Sequence, residues 1–265
     1  MVAYEIINQS CLIIRPVPQS VIVFVLSGKK IIMLDVIQPK IRKIIRKIKQ
    51  TNDNNFIGFD KYAKKGAYHW EELANDKYYR GKVEIVSSYL SKEDSCLDIG
   101  CGDGAYAAFL ASQCQYVLGV DADYEAVRLA KSKAAQEKTT NCEFMQAPIS
   151  KIDLKNLGVR EKFDLIYSMD VIEHLPQPEE LLQAAINIVK PTGLVLIGTP
   201  LFITPELVSR YHVQEFTLEE IRDLVSSYLS VQKEILLPIP RKDGKVHDDN
   251  FYISIGTPKI LAQFN

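Results

Sequence analysis

The sequence lacks both a long apolar run and a strong net charge. Its longest early apolar run, Val21–Leu26, is far too short to cross a bilayer. The 32 basic and 33 acidic residues leave a formal net charge of −1, which gives the whole chain no bias towards nucleic acid. We therefore expect no nucleic-acid partner. The first residues show no basic start and no cleavage signal, which predicts that the protein is not exported and works in the cytoplasm.

Cysteine and histidine are both scarce. The five cysteines are odd in number and form no C-x-x-C pair, which argues against a disulfide framework and against a zinc site. Several of them lie in strand-like apolar runs, so we predict buried free thiols. The four histidines are His69, His174, His212 and His247. Few side chains in this chain therefore titrate near neutral pH.

What is present is ordinary for a globular protein: 47% of the residues are apolar and 25% are charged. A length of 265 residues suits one large domain, or one domain with an extension. The sequence contains no internal repeat and no low-complexity tract. We predict a boundary near residue 50, with an N-terminal extension over residues 1–50 and the main domain over residues 51–265.

The extension combines predicted strands with a basic segment. Val21–Leu26 and Ile31–Ile37 flank a plausible hairpin turn. In Pro39–Gln50 four isoleucines fall on one helical face and six basic residues cover the rest. This helix could bind an anionic membrane surface, or lay its isoleucine stripe on the core while its lysines reach water. The remainder of the chain carries a net charge of about −7, so the helix could also dock on a second copy in a homodimer.

Ser95–Gly104 is the most informative stretch. The apolar run Cys96–Ile99 ends in three glycines at alternate positions, and a helix pattern follows over Ala105–Gln113. Glycine accepts positive φ and lets a ligand approach the backbone, while the N-terminus of the helix offers unpaired N–H groups. One acid, Asp98, lies inside the strand, and a second, Asp121, follows the next strand. The stretch predicts a nucleotide-type ligand site.

Strand and helix patterns alternate from this stretch almost to the end of the chain. Alternation of this kind predicts an α/β fold, a Rossmann-like, doubly wound and mostly parallel sheet covered on both faces. Thr217 and Glu220 form a predicted capping box for a helix starting at Leu218. Pro191-Thr-Gly predicts a turn into the strand Leu194–Gly198. The last two strands, Val231–Leu237 and Phe251–Gly256, have only the polar loop Pro240–Asn250 between them, which predicts an antiparallel hairpin at one edge.

The glycine spacing argues against the dinucleotide fingerprint. That fingerprint is G-x-G-x-x-G with an acid about 20 residues further on, whereas this chain has G-x-G-x-G from Gly100 to Gly104. Asp98 is also foreign to the fingerprint. A nicotinamide-dependent oxidoreductase is therefore the alternative rather than the first interpretation.

Three segments resemble successive motifs of class I S-adenosylmethionine-dependent methyltransferases: Leu97-Asp-Ile-Gly-Cys-Gly-Asp-Gly, Gly119-Val-Asp, and Phe163-Asp-Leu-Ile-Tyr-Ser-Met-Asp-Val-Ile-Glu-His-Leu. The part that begins at Met169 is especially similar to the ubiquinone-pathway O-methyltransferases. Gly66-Ala-Tyr-His-Trp and Tyr211-His-Val-Gln-Glu-Phe-Thr resemble segments of bacterial glycan and small-molecule methyltransferases. The resemblance covers residues 60–258.

The resemblance implies the parts of the cofactor site. The backbone of the glycine turn would lie against the ribose and the methionine part, and Asp98 would hold the turn and face the cationic end. Asp121 would accept both ribose hydroxyls. The adenine would lie near Gln146–Ala147, and the methionine amino group would face the backbone after the fourth strand. The implied cofactor-binding residues are Asp98, Gly100, Cys101, Gly102, Gly104, Asp121, Ala122, Gln146, Ala147, Ser168 and Met169.

Methyl transfer from a sulfonium is an in-line displacement, so the protein must position the nucleophile and remove its proton. We predict His174, His212 and His69 as candidate catalytic residues, with His174 first, and His247 as solvated. The alternative for His174 is a structural role at a helix start. Asp170, Glu173, His174 and His212 could also be taken as a metal cluster, similar to a pattern in some RNA 3′-end methyltransferases. Two histidines with separated acids are few for such a site, and we predict no metal.

The sequence therefore predicts an enzyme that moves a methyl group from S-adenosylmethionine to an oxygen or nitrogen nucleophile of a small molecule or glycan precursor. A nicotinamide-dependent oxidoreductase and a non-catalytic cofactor-binding module are the two alternatives.

Overall fold

The computed structural model describes residues 3–6, 12–15, 22–27, 30–33, 60–203, 207–240 and 246–259. The chain divides into two compact units, Met1–Asn54 and Asn55–Asn265. The predicted amphipathic helix at 39–50, Cys11 and the side chain of His247 lie outside the described residues.

The first unit contains an antiparallel sheet of four strands in chain order. They are β1 (Ala3–Ile6), β2 (Leu12–Arg15), β3 (Ile22–Ser27) and β4 (Lys30–Met33). The pairing of Ser27 with Lys30 closes β3 and β4 into a hairpin. The hairpin predicted in the extension is therefore present.

The second unit is built on a seven-stranded sheet. Its strands are β5 (Ser95–Ile99), β6 (Tyr116–Asp121), β7 (Cys142–Gln146), β8 (Phe163–Met169), β9 (Val189–Pro200), β10 (Leu229–Pro240) and β11 (Val246–Pro258). The order across the sheet is β7-β6-β5-β8-β9-β11-β10. The first five are parallel, and β11 and β10 are antiparallel at the edge. The predicted fold class, including the edge hairpin, is confirmed.

Besides two short 3₁₀ helices, Ile149–Lys151 and Ile172–His174, the described part of this unit contains seven α-helices. They are α1 (Lys61–Lys65), α2 (Tyr68–Asn75), α3 (Lys77–Ser87), α4 (Ala105–Ala111), α5 (Tyr124–Gln136), α6 (Glu179–Ile188) and α7 (Leu218–Ser226). The predicted capping box is present at α7, where Thr217 and Glu220 bond each other's backbone N–H groups. No helix in the described part of the chain is long and apolar enough to cross a membrane.

Alternating residues of the parallel strands supply two separate cores. On β5, Leu97 and Ile99 pack with α6 and α7 on one face, whereas Cys96 packs with α3, α4 and α5 on the other. A sheet buried on both faces explains the near-continuous apolar runs of its strands. Cys96, Cys101, Cys114 and Cys142 are buried free thiols.

Two predicted boundaries were wrong. The turn predicted at Pro191–Gly193 lies inside β9, which begins at Val189 and carries an irregularity in its pairing with β8. The loop predicted over residues 240–250 is shorter, because β10 and β11 continue their ladder to the pair Pro240–Val246. In both cases partner strands impose the extended conformation on residues whose local sequence predicts a turn.

Candidate functional site

The glycine turn follows β5 and leads into α4. Gly100, Gly102 and Gly104 all have positive φ, at 81°, 54° and 80°. A Cβ atom on Gly100 would lie 2.2 Å from Val171 Cγ2, and one on Gly102 would lie 2.1 Å from the Tyr62 hydroxyl. Conformation and space therefore both require glycine at these two positions.

Asp121 ends β6 and is anchored to the glycine turn. Its Oδ2 accepts a hydrogen bond from the Gly102 N–H at 2.8 Å, and its Oδ1 accepts one from the Asp123 N–H at 2.8 Å. Asp123, and not Asp121, caps α5 by accepting from the N–H groups of Glu125 and Ala126. Burial raises the pKa of Asp121, and the backbone hydrogen bonds oppose that shift. Each oxygen keeps lone-pair capacity for a hydroxyl donor.

Polar groups at the predicted adenine position already form hydrogen bonds within the protein. The Ala147 N–H donates to the Asp121 carbonyl at 2.9 Å. The Gln146 side chain donates to the carbonyl of exposed Ala122 at 3.1 Å. Because its amide N–H is already bonded, Ala147 could contact an adenine only through its carbonyl or its methyl group.

Asp98 is a buried carboxyl at the floor of the site. It is 3% exposed, and its Oδ2 accepts a hydrogen bond from the Tyr167 hydroxyl at 2.6 Å. Burial raises the pKa of Asp98 to about 8, although the Tyr167 hydrogen bond opposes the shift. Its carboxyl is therefore mainly protonated near pH 7. A cation placed beside it would favour the charged form.

The side chains of Ser168 and Met169 at the end of β8 belong to the protein interior. Ser168 Oγ donates to the Ile99 carbonyl at 2.8 Å, and Met169 is 6% exposed. Their backbone reaches the same edge of the sheet as the glycine turn. Asp170 follows with φ of 57°, and Lys82 bonds its carboxylate.

His174 and His212 meet at this edge, with ring centroids 4.9 Å apart and planes at 85°. Nδ1 of His174 lies 2.8 Å from the Tyr211 carbonyl oxygen. A carbonyl only accepts, so this nitrogen carries the proton. Burial and the neighbouring His212 lower the pKa of His174 to about 4.

His212 is in a different electrostatic environment. Its Nδ1 lies 2.7 Å from Oε1 of Glu215, a residue that is 6% exposed. Burial lowers the pKa of His212, but the Glu215 hydrogen bond and the charge of Glu173 outweigh burial and raise it above the usual value. The arrangement resembles a carboxylate-oriented histidine base.

His69 lies on the glycine-turn side and not beside the other two histidines. Its backbone N–H donates to Asp103 Oδ2 at 2.9 Å, and its Nδ1 lies 3.4 Å from Asp103 Oδ1. The Trp70 indole N–H donates to the Asp103 carbonyl at 2.9 Å. Asp103 thus fastens α2 to the glycine turn.

One cavity of about 270 Å³ joins these features. Its lining includes all three candidate catalytic histidines and five of the predicted cofactor residues, Asp98, Gly100, Cys101, Gly102 and Met169. The other predicted cofactor residues lie outside the lining: Gly104, Asp121, Ala122, Gln146, Ala147 and Ser168.

Among the described residues, Glu173, His174 and His212 form a group that could hold a metal ion. Their potential ligand atoms lie within 4.8 Å of one another. Glu173 is fully buried, its Oε2 accepts from Thr199 Oγ1 at 3.0 Å, and its Oε1 has no hydrogen-bond partner among the described residues. Burial raises the pKa of Glu173 to about 8. The absence of a metal stays a prediction.

Sequence reasoning missed several residues of the site. Asp103 lies inside the glycine motif itself, and Glu215 follows His212 by three residues, so both had a local signal. Tyr62 and Lys82 lie far upstream in helices α1 and α3. Nothing in their local sequence indicates that the fold brings Tyr62 to the cavity, or Lys82 to the carboxylate of Asp170.

Comparisons with known proteins agree with this geometry. The family described as "Methyltransferase domain" matches residues 90–244. A ubiquinone biosynthesis O-methyltransferase from Acinetobacter baylyi is 33% identical over 103 residues, which is 39% of this chain and 42% of that protein. The match thus spans about two fifths of that curated relative.

Two solved structures share the fold. N-methyltransferase NodS from Bradyrhizobium japonicum, in complex with S-adenosyl-L-homocysteine, is 17% identical with a TM-score of 0.55, covering 71% of this chain and 91% of that one. A TehB-like SAM-dependent methyltransferase from Corynebacterium glutamicum is 21% identical with a TM-score of 0.54, covering 75% and 98%. The nicotinamide-dependent alternative is not favoured. The chain belongs to the methyltransferase-domain family, and its fold is that of the class I enzymes whose methyl donor is S-adenosylmethionine.

Proposed function

We propose that this chain transfers a methyl group from S-adenosylmethionine to an oxygen or nitrogen nucleophile of a small molecule or glycan precursor. The observation that carries the proposal is that one cavity is lined both by the glycine turn and by His212, a histidine whose Nδ1 lies 2.7 Å from Glu215 Oε1. A cofactor site and a candidate base on one cavity are what the reaction needs.

In this proposal the residues at the carboxyl ends of the parallel strands would hold the cofactor. Asp121 would accept hydrogen bonds from the ribose hydroxyls, the glycine turn would hold the methionine part, and the backbone of Ser168 and Met169 would face the amino group. Asp98 would meet the cationic end and lose its proton there. The carboxyl ends of parallel strands are the usual ligand edge of such sheets.

When bound, S-adenosylmethionine would supply the methyl group: the acceptor oxygen or nitrogen would gain the bond to carbon, and the electron pair of the broken sulfur–carbon bond would stay on sulfur. The acceptor proton passes to Nε2 of His212, because Nδ1 donates to Glu215. The geometry favours His212 as the base over His174, our first choice from sequence, whose lowered pKa makes it a weaker proton acceptor.

The cavity wall supports a flat acceptor. Tyr68, Tyr79 and Tyr106 line it, and burial raises the pKa of each phenol so that all three stay neutral. Aromatic walls bind planar groups through offset and edge contacts. An O-methyltransferase and an N-methyltransferase are both among the similar proteins, so hydroxyl and amine acceptors need separate probes.

The test measures S-adenosylhomocysteine formation with catechol, with an aromatic amine and with an amino sugar. His212→Ala should lower kcat by about 10²- to 10⁴-fold with little change in cofactor affinity. His174→Ala should act mainly on the KM for the acceptor, and His69→Ala is the comparison on the opposite side of the cavity. Near-normal kcat in both His212→Ala and His174→Ala would refute a histidine base.

Three controls separate the alternatives. Calorimetric titration with S-adenosylmethionine and with NAD distinguishes the methyl donor from a nicotinamide cofactor. Binding of S-adenosylmethionine without turnover on any acceptor would favour a non-catalytic module. A parallel assay with EDTA tests whether Glu173, His174 and His212 need a metal.

We also propose cytoplasmic localisation and an accessory role for residues 1–50. Co-sedimentation with anionic vesicles at low and high salt tests membrane contact through residues 39–50. Sedimentation velocity of the full chain tests the homodimer.

A further inference from the structure

Lys82 is a lysine buried in an aromatic cage. It lies on α3, its side chain is 1% exposed, and its ammonium nitrogen lies 4.4 to 4.6 Å from the ring centroids of Tyr78, Tyr79 and Phe251. Burying an ammonium is costly unless it is paired. The rings compensate part of that cost through cation–π attraction, and the rest must come from a carboxylate.

That carboxylate belongs to Asp170, whose Oδ2 lies 2.6 Å from the Lys82 nitrogen. Asp170 follows β8 in a left-handed conformation with φ of 57°, and its N–H donates to the Gly198 carbonyl at 3.0 Å. Its side chain is 40% exposed and lines the same cavity as the glycine turn and the two paired histidines. Lys82 therefore holds Asp170 from the buried side, and the open side of the carboxylate faces the cavity.

Stability alone does not account for this pair. A buried ion pair is often no more stabilising than apolar residues of similar volume. A non-glycine residue at positive φ adds backbone strain, and such strain is concentrated at functional sites. A buried lysine and a strained backbone, both unfavourable to stability, thus fix the carboxylate of Asp170 at the cavity wall.

The other end of β8 provides a matched comparison. Lys190 bonds Asp164 at the same 2.6 Å, but its side chain is 39% exposed. Neither Lys190 nor Asp164 lines the cavity, whereas Asp170 does. Of the two Lys–Asp pairs, the one with the buried lysine is therefore the one whose carboxylate lines the cavity.

We propose that Asp170 is a cofactor-contacting residue that binds a cationic group of S-adenosylmethionine, and that Lys82 is its positioning residue. The inference rests on the proposed function, which places the methionine end beside Met169. The molecule offers two cations there, the amino-acid ammonium and the sulfonium. Both are attracted by a fixed carboxylate.

The experiment measures dissociation constants by calorimetry on the full chain for S-adenosylmethionine, S-adenosylhomocysteine and methylthioadenosine. The second ligand lacks the sulfonium charge, and the third lacks both the charge and the amino acid. Asp170→Asn is the main variant, because asparagine tolerates positive φ and its carbonyl still accepts a hydrogen bond from Lys82. Asp164→Asn is its matched control.

Asp170→Asn should weaken S-adenosylmethionine binding about 10- to 100-fold, as expected for a hydrogen bond to a charged group, and leave methylthioadenosine unchanged. An equal loss for S-adenosylhomocysteine identifies the ammonium as the contact, and a loss confined to S-adenosylmethionine identifies the sulfonium. Asp164→Asn should leave all three constants within about twofold. Equal weakening of all three ligands, or of none, overturns the proposal.

Lys82→Met tests the positioning role independently. Methionine fits an aromatic cage and removes the ammonium, so the variant should fold. It should weaken S-adenosylmethionine binding about fivefold and add nothing further in the Asp170→Asn background. An additional loss in that background contradicts positioning through Asp170. If the unaltered protein does not bind S-adenosylmethionine, both the proposed function and the role of Asp170 are wrong. If it binds and the variants bind equally well, only the role of Asp170 is wrong.

Discussion

The two sides of the cavity are built in different ways. On the glycine side, Gly100, Gly102 and Asp121 fix the site through backbone conformation and backbone N–H donors. On the histidine side, His212 and its partner Glu215 depend on side chains of a loop that reaches β8 only in the folded chain. The first side is specified by local sequence, and the second by tertiary contacts.

The two sides also differ in their sensitivity to pH. Asp121 is held by two backbone donors, which act at any pH at which the protein is folded. His174, His212 and Glu173 lie close together with pKa values shifted in different directions. The comparison predicts that changes on the glycine side act on binding, whereas those on the histidine side act on rate and on pH dependence.

The largest effect is expected from Gly102→Val. A branched side chain at φ of 54° is strained, and its Cβ would overlap the Tyr62 hydroxyl. We expect S-adenosylmethionine binding to fall below detection in calorimetry. Gly81→Ala is the control, because an added Cβ at Gly81 meets nothing within 4 Å. A Gly102→Val protein that binds normally would place the cofactor elsewhere.

Asp121→Ala should have the next largest effect on binding. Loss of the carboxylate removes the proposed ribose contact and should weaken S-adenosylmethionine by about 1.5 to 3 kcal/mol. Circular dichroism checks that the fold is kept, since the variant also releases the Gly102 N–H. Unchanged affinity in a folded variant would remove Asp121 from the site.

Glu215→Gln tests the histidine side. Because the carboxylate raises the pKa of His212, its removal should shift the acid limb of the kcat profile to lower pH and reduce the maximal rate about tenfold. Cofactor affinity should stay constant. The control is Glu219→Gln, on an exposed residue of the following helix. An unshifted acid limb would show that His212 does not set the pH dependence.

The last prediction, for Glu173→Gln, concerns stability and its dependence on pH. The pKa of this carboxyl is about 8 in the folded chain and 4.5 ordinarily. The stability contributed by its protonated form is therefore present below about pH 4.5 and lost as the pH rises through about 8. The Tm of Glu173→Gln relative to the unaltered protein should increase from pH 6 to pH 9. A constant difference in Tm would mean that Glu173 does not titrate there.

The sequence predicts most of the fold because the sheet is parallel and buried on both faces. Runs such as Cys96–Ile99 are then apolar throughout and easy to identify. The exact length of β9 to β11 is not predictable in this way, because pairing with a neighbour, and not local preference, extends each strand. The domain boundary near residue 50 stays a prediction.

The glycine side of the site is equally predictable from the sequence, since Asp98, Gly102 and Asp121 lie within one β-α-β unit. The histidine side is only partly predictable from the sequence. Spacing places His174 and His212 at one sheet edge, but it does not show that burial and the neighbouring His212 lower the pKa of His174. Nor does it show that Glu215 raises the pKa of His212. The sequence does not predict the role proposed for Lys82, because that role depends on Phe251 and Asp170 from two distant segments.

The loop that carries His212 is fastened to the rest of the protein mainly by its backbone. The Glu173 carbonyl accepts the N–H groups of Val213 and Gln214, and the Tyr211 carbonyl accepts from His174. Backbone contacts of this kind tolerate exchange of the side chains around them. The loop can therefore diverge, or be exchanged between relatives, while the cofactor half is kept, and this separability offers a route by which one methyl-donor scaffold acquires new acceptors.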